Sequence, residues 1–137
     1  MHTHSTMSKA QFSNYPGTES FAETYHYSQA VRIGNILRIS GQGGWDKDGK
    51  VAADPKEQIS LALQNILAAL RAAEPSAGWH NVVSVRSFHT DIAGAFEVMT
   101  KAFKELGPDH RPTWTCVEVR RLALEEMVVE IEAEALI

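Results

Sequence analysis

The chain has 137 residues, 44% of them hydrophobic and 22% charged, and its formal net charge is −4. This balance is typical of one soluble globular domain with a core, and the lack of a basic tract argues against a nucleic-acid partner. No apolar run is long enough to span a bilayer, so we expect no membrane partner either. One cysteine, Cys116, cannot form an internal disulfide, which favours a cytoplasmic protein.

The N-terminal residues are polar and include a Pro16-Gly17 turn signal. We therefore predict a flexible tail over residues 1–20 and a single domain over residues 21–137. Two short strands should follow, because residues 31–33 and 36–39 are apolar-rich segments separated by Gly34-Asn35, a typical two-residue hairpin connection.

Two helices are predicted in the middle of the chain. Asp54 can cap the first helix, Pro55 suits its first position, and Pro75 ends it. Asp91 can cap the second helix, which should end at Gly107. The segment between them reads as a central strand, because it carries apolar residues on both faces.

The C-terminal residues alternate in polarity over two segments, 113–119 and 127–135, which is the pattern of strands. We expect the more apolar face of each strand to pack under the helices. The opposite faces carry Trp114, Cys116, Glu118, Glu130 and Glu132.

Two helices can cover only one face of a sheet of about five strands. The element order therefore predicts an α+β fold, a two-layer sandwich with helices on one face of a mixed sheet. The uncovered face should be the one that carries Trp114 and Glu130. A bare face with an indole on it is typical of a surface that oligomerises or binds a ligand.

Four short motifs resemble one known family. YSQAV (residues 27–31), ISGQ (39–42), TCVEV (115–119) and VEIEAEA (129–135) are similar to those of the Rid family, also called the YjgF, reactive intermediate deaminase or endoribonuclease L-PSP family. The resemblance implies a chorismate-mutase-like fold. It also implies a homotrimer with three clefts between subunits and no cofactor.

The resemblance also implies roles for single residues. In the deaminase branch an arginine holds the substrate carboxylate, and a water held by a glutamate and a cysteine carbonyl attacks the imine carbon. On this basis Glu130 and Cys116 are the candidate catalytic residues. Tyr27 and Ser40 are candidate substrate-binding residues that line the cleft.

Two positions depart from the family pattern: Trp114 stands in place of the arginine, and Thr100 in place of a common asparagine. An arginine would form a bidentate, charge-assisted pair with a carboxylate. Without it, a substrate carboxylate would face Glu130 with no counter-charge. The cleft therefore suits a neutral, aromatic or cationic ligand. The positions of Arg111 and Arg120 along the chain do not allow either one to replace the missing guanidinium.

Three functions remain open. The chain could hydrolyse a small imine or enamine, or move a proton within a related enol, with ordinary 2-imino acids as poor substrates. It could instead be a trimer that binds a small molecule without catalysis, if Trp114 fills the cleft. A ribonuclease is the weakest alternative, because the composition is acidic. Trp114, Thr100 and Glu118 are further candidate substrate-binding residues, and the scattered histidines predict no metal site.

Overall fold

The computed structural model describes residues 9–137, and this part of the chain contains six strands and three α-helices. The strands are β1 (Gln11–Ser13), β2 (Ala30–Ile33), β3 (Ile36–Gly43), β4 (Val82–His89), β5 (Thr113–Glu118) and β6 (Val129–Leu136). The helices are α1 (Glu19–Tyr25), α2 (Pro55–Ala73) and α3 (Ala95–Leu106). Across the same residues, every helix is too short or too polar to cross a bilayer.

All six strands form one sheet in the order β1-β2-β3-β6-β4-β5. Strands β4 and β5 run parallel, and every other neighbouring pair is antiparallel. Parallel neighbours need a crossover connection, which α3 supplies. Helices α2 and α3 pack against the core on one side of the sheet. The predicted α+β two-layer sandwich with a mixed sheet is therefore confirmed.

Helix α2 begins where the sequence predicts. The Asp54 carboxylate accepts a hydrogen bond from the Glu57 backbone N–H (3.0 Å), and Pro55 is the first helical residue. Its buried side packs on β3 and β6, where Leu37, Ile66 and Ile131 are fully buried. Each such side chain stabilises the fold by roughly 1.5–3 kcal/mol, so α2 determines which face of the sheet is covered.

Helix α3 begins later than predicted. Asp91 does not cap it: the helix starts at Ala95 after Gly94, and the Asp91 carboxylate accepts a hydrogen bond from Ala93 N–H (3.1 Å). Aspartate readily bonds to the backbone two residues on, which favours a turn over a helix start at this point.

The flexible tail predicted for residues 1–20 is wrong for residues 11–20. Strand β1 pairs with β2, α1 begins at Glu19, and Tyr15 is only 6% exposed. An edge strand is held by backbone hydrogen bonds, so its side chains need not follow an apolar pattern; Phe12 is 69% exposed. Of the rest of the predicted tail, residues 9 and 10 are exposed and belong to no helix or strand, and residues 1–8 lie outside the described residues.

The two faces of β5 point to the sides of the sheet opposite to those predicted. In the parallel register, Trp114 lies beside Val85 and Cys116 beside Ser87, and both β4 residues are buried on the helix side. Cross-strand neighbours share a face, so Trp114, Cys116 and Glu118 point to the helix side. An indole has more apolar area to bury than a threonine or valine, and α3 offers aromatic partners for it.

The uncovered side of the sheet is called the open face below. Glu130 and Glu132 lie on it as predicted, opposite Phe88 and Arg86 of β4. The open face also carries Phe12, Val31, Arg38, Ser40, Glu134, Leu136, Thr113, Thr115 and Val117. It therefore combines charged pairs with exposed apolar side chains.

Candidate functional site

Three of the predicted site residues come together on the open side of the sheet. Ser40 Oγ donates a hydrogen bond to the carbonyl of Ser28, next to Tyr27 (2.8 Å). The Glu130 side chain lies across the backbone of Gly41, the residue after Ser40, so closely that a Cβ at Gly41 would be 2.6 Å from the carboxyl carbon. The motifs at residues 27–31 and 39–42 thus meet the carboxylate of β6 in one place, called the Glu130 site below.

The Glu130 carboxyl is half-buried, and its environment disfavours the charge. Burial is the main cause that raises the pKa of Glu130 above its ordinary value, and the neighbouring Glu132 charge adds to it. In the described part of the chain no cation pairs with Glu130, because Arg86 and Arg38 form ion pairs with Glu132 (2.5 Å) and Glu134 (2.9 Å). Such a carboxyl can exchange a proton at a pH nearer to neutrality than a solvated one.

Tyr27 supplies a hydroxyl group beside this carboxyl. Its oxygen accepts a hydrogen bond from Gln29 Nε2 (3.2 Å). Burial raises the pKa of Tyr27, and the nearby charge of Glu130 also raises it, so the phenol keeps its proton at neutral pH. The Ser40 hydroxyl, in contrast, already donates to Ser28 within the chain, which limits it to accepting a hydrogen bond from a ligand.

Trp114 lies on the other side of the sheet and is a packing residue. Its ring stacks on Phe96 (centroids 4.8 Å apart, planes at 20°) and meets the edge of Phe103 (5.0 Å, 90°). Its indole N–H donates to the buried Ser87 Oγ (2.9 Å). The prediction that Trp114 shares a face with Glu130 is wrong. On the helix side, the aromatic rings of α3 cover the apolar surface of the indole, and the Ser87 hydroxyl accepts its single N–H.

The remaining predicted residues also lie around the edge strand β5. Cys116 is a half-buried free thiol on the helix side. The Thr100 hydroxyl donates to the Phe96 carbonyl one turn back in α3 (2.8 Å), and Glu118 accepts a hydrogen bond from Ile92 N–H (3.0 Å). These residues, with Trp114 and Phe96, are called the β5 edge below. Its Thr100 and Glu118 side chains bond to the backbone of the chain.

The sequence analysis missed several residues near the Glu130 site. Gln29 and Gln42 are fully buried and link Tyr27 to the core through hydrogen bonds. Gln29 belongs to the motif YSQAV and Gln42 to the motif ISGQ. Their place in these motifs was the signal that could have indicated a buried polar role. Phe96 of the β5 edge was missed too: it is 53% exposed and stacks on Trp114. Nowhere in residues 9–137 do three acidic, histidine or cysteine side chains group to hold a metal ion.

A mixed sheet with helices on one face and a desolvated carboxylate on the other defines a two-layer α+β domain of the chorismate-mutase-like type. Residues 17–137 match the family described as Endoribonuclease L-PSP. The RutC family protein YjgH of Escherichia coli K12 is 35% identical over 118 residues, covering 85% of this chain and 88% of YjgH. TdcF of the same strain, provisionally named a reactive intermediate deaminase, is 33% identical over 113 residues, covering 80% of this chain and 84% of TdcF.

A solved structure of the protein YJGH has a TM-score of 0.80 to this chain at 34% identity, covering 93% of this chain and 95% of that one. The chain therefore belongs to the endoribonuclease L-PSP family, which is the YjgF or Rid family that its motifs resemble.

The close contact between Gly41 and Glu130 leads to a first prediction. In Gly41→Ala the added methyl group would displace the Glu130 carboxyl, because its Cδ and Oε2 would both lie 2.6 Å away. We expect the pKa of Glu130 to fall toward its ordinary value as the carboxyl moves into water, with a stability loss of about 1 kcal/mol or less. Carboxyl ¹³C NMR titration and thermal melting measure the two effects.

Gly78→Ala is the matched control, because the atoms nearest its methyl group would be the His80 ring at 3.3 Å and Arg71 Nη2 at 3.9 Å, and not Glu130. Glu130 should titrate in this variant as in the wild type. An unchanged Glu130 titration in Gly41→Ala would contradict the described packing of the carboxyl on Gly41.

Proposed function

We propose that the protein is a homotrimeric enzyme that acts on a small imine, enamine or related enol in a cleft between neighbouring copies. Glu130 orients the water that attacks the imine carbon, or moves the proton in the enol case, and Tyr27 binds the substrate. The observation that carries the proposal is the desolvated Glu130 carboxyl beside a protonated Tyr27 hydroxyl. The provisional name of TdcF supports the same reaction class.

A second copy is part of the proposal, because the candidate residues lie on opposite sides of the sheet. Within one chain the Glu130 site is on the open face, whereas Trp114 and Cys116 are on the helix side of the edge strand. One chain cannot fold both sets into one cleft. If the β5 edge of one copy docks beside the Glu130 site of the next, both sets face the same space.

The open face has the composition of a surface that another copy can cover. Its two arginines are paired with glutamates, so burying these ion pairs leaves neither arginine without a counter-charge. Apolar side chains lie around these pairs, including Leu136 at 48% and Val117 at 37% exposure. Apolar surface of this kind favours association of identical copies.

The substrate proposed for this cleft carries no carboxylate. Trp114 occupies the position where the family pattern has an arginine, and its one donor is bonded to Ser87. A substrate carboxylate would then meet the Glu130 charge without a guanidinium to offset it. The proposal therefore favours a neutral imine over a 2-imino acid.

Ribonuclease activity, which the family description names, is the weaker candidate. On the open face, Arg38 and Arg86 are engaged by glutamates. Nucleic-acid binding draws most of its affinity from free cations that neutralise phosphates.

The inter-subunit cleft predicts complementation between two inactive variants. Glu130→Gln alters the open face, and Trp114→Ala alters the β5 edge. The substrate is propan-1-imine, generated in situ by an amine oxidase, and the measured quantity is the rate of ammonia release. We expect each variant alone to accelerate this release at least tenfold less than the wild type does. After unfolding and refolding together at equal amounts, about a quarter of the clefts should pair two intact surfaces and regain activity.

Glu134→Gln, which changes an ion-paired glutamate of the same strand, is the control for Glu130→Gln and should stay active. Mixed variants that stay as inactive as the separate ones would argue against a shared cleft. Binding of propan-1-imine analogues without turnover by the wild type would instead support the non-catalytic trimer.

The missing positive charge predicts a reversal of substrate preference. The wild type should accelerate ammonia release from propan-1-imine and act poorly on 2-iminobutyrate, which differs by one carboxylate. Trp114→Arg should raise turnover of 2-iminobutyrate about tenfold or more, because charge-assisted hydrogen bonds contribute about 1.5–3 kcal/mol each. Trp114→Leu, which removes the indole without adding charge, should give no such gain. Efficient 2-iminobutyrate turnover by the wild type would refute the exclusion of imino acids.

The environment of Glu130 predicts the acid side of the pH profile. A carboxylate that orients water must be ionised, so activity should fall as the pH drops through the raised pKa of Glu130. Glu132→Gln removes one cause of the raised pKa and frees Arg86, and both changes lower the pKa of Glu130. The acidic limb of kcat/KM should therefore move to lower pH in this variant and stay in place in Glu134→Gln. If the acidic limb of kcat/KM in Glu132→Gln stays at the same pH or moves to higher pH, this would argue against Glu130 as the titrating group.

A further inference from the structure

Four buried polar side chains behind Tyr27 have no role in the proposed reaction so far. They form a continuous hydrogen-bonded chain, called the relay below. Its members are Trp45, Tyr15, Gln42 and Gln29, and each is at least nine-tenths buried. Buried polar groups of this kind are costly unless they are satisfied, so their arrangement has few alternatives.

The relay runs from the core to the Tyr27 hydroxyl. Trp45 Nε1 donates to Tyr15 Oη (3.0 Å), and Tyr15 Oη donates to Gln42 Oε1 (2.6 Å). Gln42 Nε2 then donates to Gln29 Oε1 (2.6 Å). Gln29 Nε2 donates to Tyr27 Oη (3.2 Å), so the Tyr27 oxygen receives the last bond of the relay.

The direction of these bonds is determined at two points. The Trp45 indole can only donate, so Tyr15 accepts a hydrogen bond from it and donates its own hydroxyl hydrogen to Gln42 Oε1. Gln42 Nε2 also donates to the Ser40 carbonyl (3.0 Å), which can only accept. Both contacts place the Gln42 oxygen toward Tyr15 and its amide group toward Gln29. Gln29 therefore presents its own amide N–H to Tyr27.

We propose that the relay holds Tyr27 as a hydrogen-bond donor directed into the cleft, so that the substrate atom it meets must be an acceptor. Gln29 and Gln42 are thus positioning residues that act through Tyr27. The proposal rests on the proposed function and narrows its substrate class to a neutral imine nitrogen or a carbonyl oxygen, and excludes a protonated iminium.

The chemistry of the hydroxyl group supports this step. Tyr27 has one proton, and within residues 9–137 its oxygen takes part only in the bond from Gln29. That bond occupies one lone pair and leaves the proton for a partner outside the chain. If the relay ran the other way, Tyr27 would donate to Gln29 and offer the substrate no hydrogen.

The test uses the trimer or other native assembly of the full chain, labelled with ¹³Cζ-tyrosine. The chain has three tyrosines, so Tyr27→Phe assigns the Tyr27 resonance directly. Gln29→Met removes the hydrogen bond that Gln29 donates to Tyr27, and Gln29→Glu reverses its direction. The pKa of Tyr27 should rise in both variants, because the phenolate loses a donor. Turnover of propan-1-imine should fall about tenfold in both.

Gln42→Met tests the relay at a residue two hydrogen bonds away from Tyr27. The Tyr27 titration should move here too, because Gln29 is then free to turn its amide. Gln58→Met is the matched control: Gln58 is equally buried, and it bonds to Ala52, Glu126 and Val128 outside the relay. It should lower thermal stability and leave the Tyr27 titration in place.

The outcomes separate the relay from the proposed function. An unchanged Tyr27 titration in Gln29→Met and Gln42→Met would overturn the relay, whatever the activity. A wild type that hydrolyses propan-1-imine, with Gln29→Glu equal to it in kcat and KM, would also overturn it and leave the proposed function standing. A shifted Tyr27 titration in a protein that hydrolyses no imine would support the relay and count against the proposed function.

Discussion

The parallel pairing of β5 with β4 decides which side chains of the edge strand meet the helices. Strand β4 is buried on the helix side through Val85 and Ser87, and the register places Trp114 and Cys116 beside them. Every other feature of the β5 edge depends on this pairing. The indole can stack on α3 and bond to Ser87 only because it points to that side. The same pairing leaves the threonines and Val117 of β5 on the open face.

The sequence predicted the layers of the fold, because periodicity and helix caps are local signals. The Asp54 cap, the alternation of the last strands and the open-face position of Glu130 follow from such signals. Alternation divides a strand into two faces but does not say which one meets the helices, so Trp114 was placed on the wrong side. Strand β1 was missed for a related reason, since backbone pairing at an edge leaves no apolar pattern. The roles of Gln29 and Gln42 depend on partners far apart in sequence, which no local signal reveals.

In the proposed function, Trp114 bears on two properties at once. The resemblance to the Rid family implies an arginine at this position, where it would hold a substrate carboxylate. The indole instead joins Phe96, Phe103 and Trp79 in a row of aromatic contacts. Aromatic pairs of this kind contribute about 0.5–1.5 kcal/mol beyond their buried area, so the position now stabilises the attachment of α3 to the edge strand. A side chain whose one donor bonds inside its own chain can offer a ligand only apolar surface.

Two independent features of the proposed cleft favour the same kind of substrate. The proposed cleft has no guanidinium at position 114, and a substrate carboxylate beside Glu130 would raise the pKa of Glu130 further and disfavour the ionised form that orients water. The direction of the hydrogen bonds behind Tyr27 leaves a donor that suits a neutral nitrogen or a carbonyl oxygen. One constraint is electrostatic and acts on the far end of the substrate, whereas the other is directional and acts on the reacting group. Because a neutral imine satisfies both, Trp114 and the buried glutamines are consistent parts of the proposed specificity.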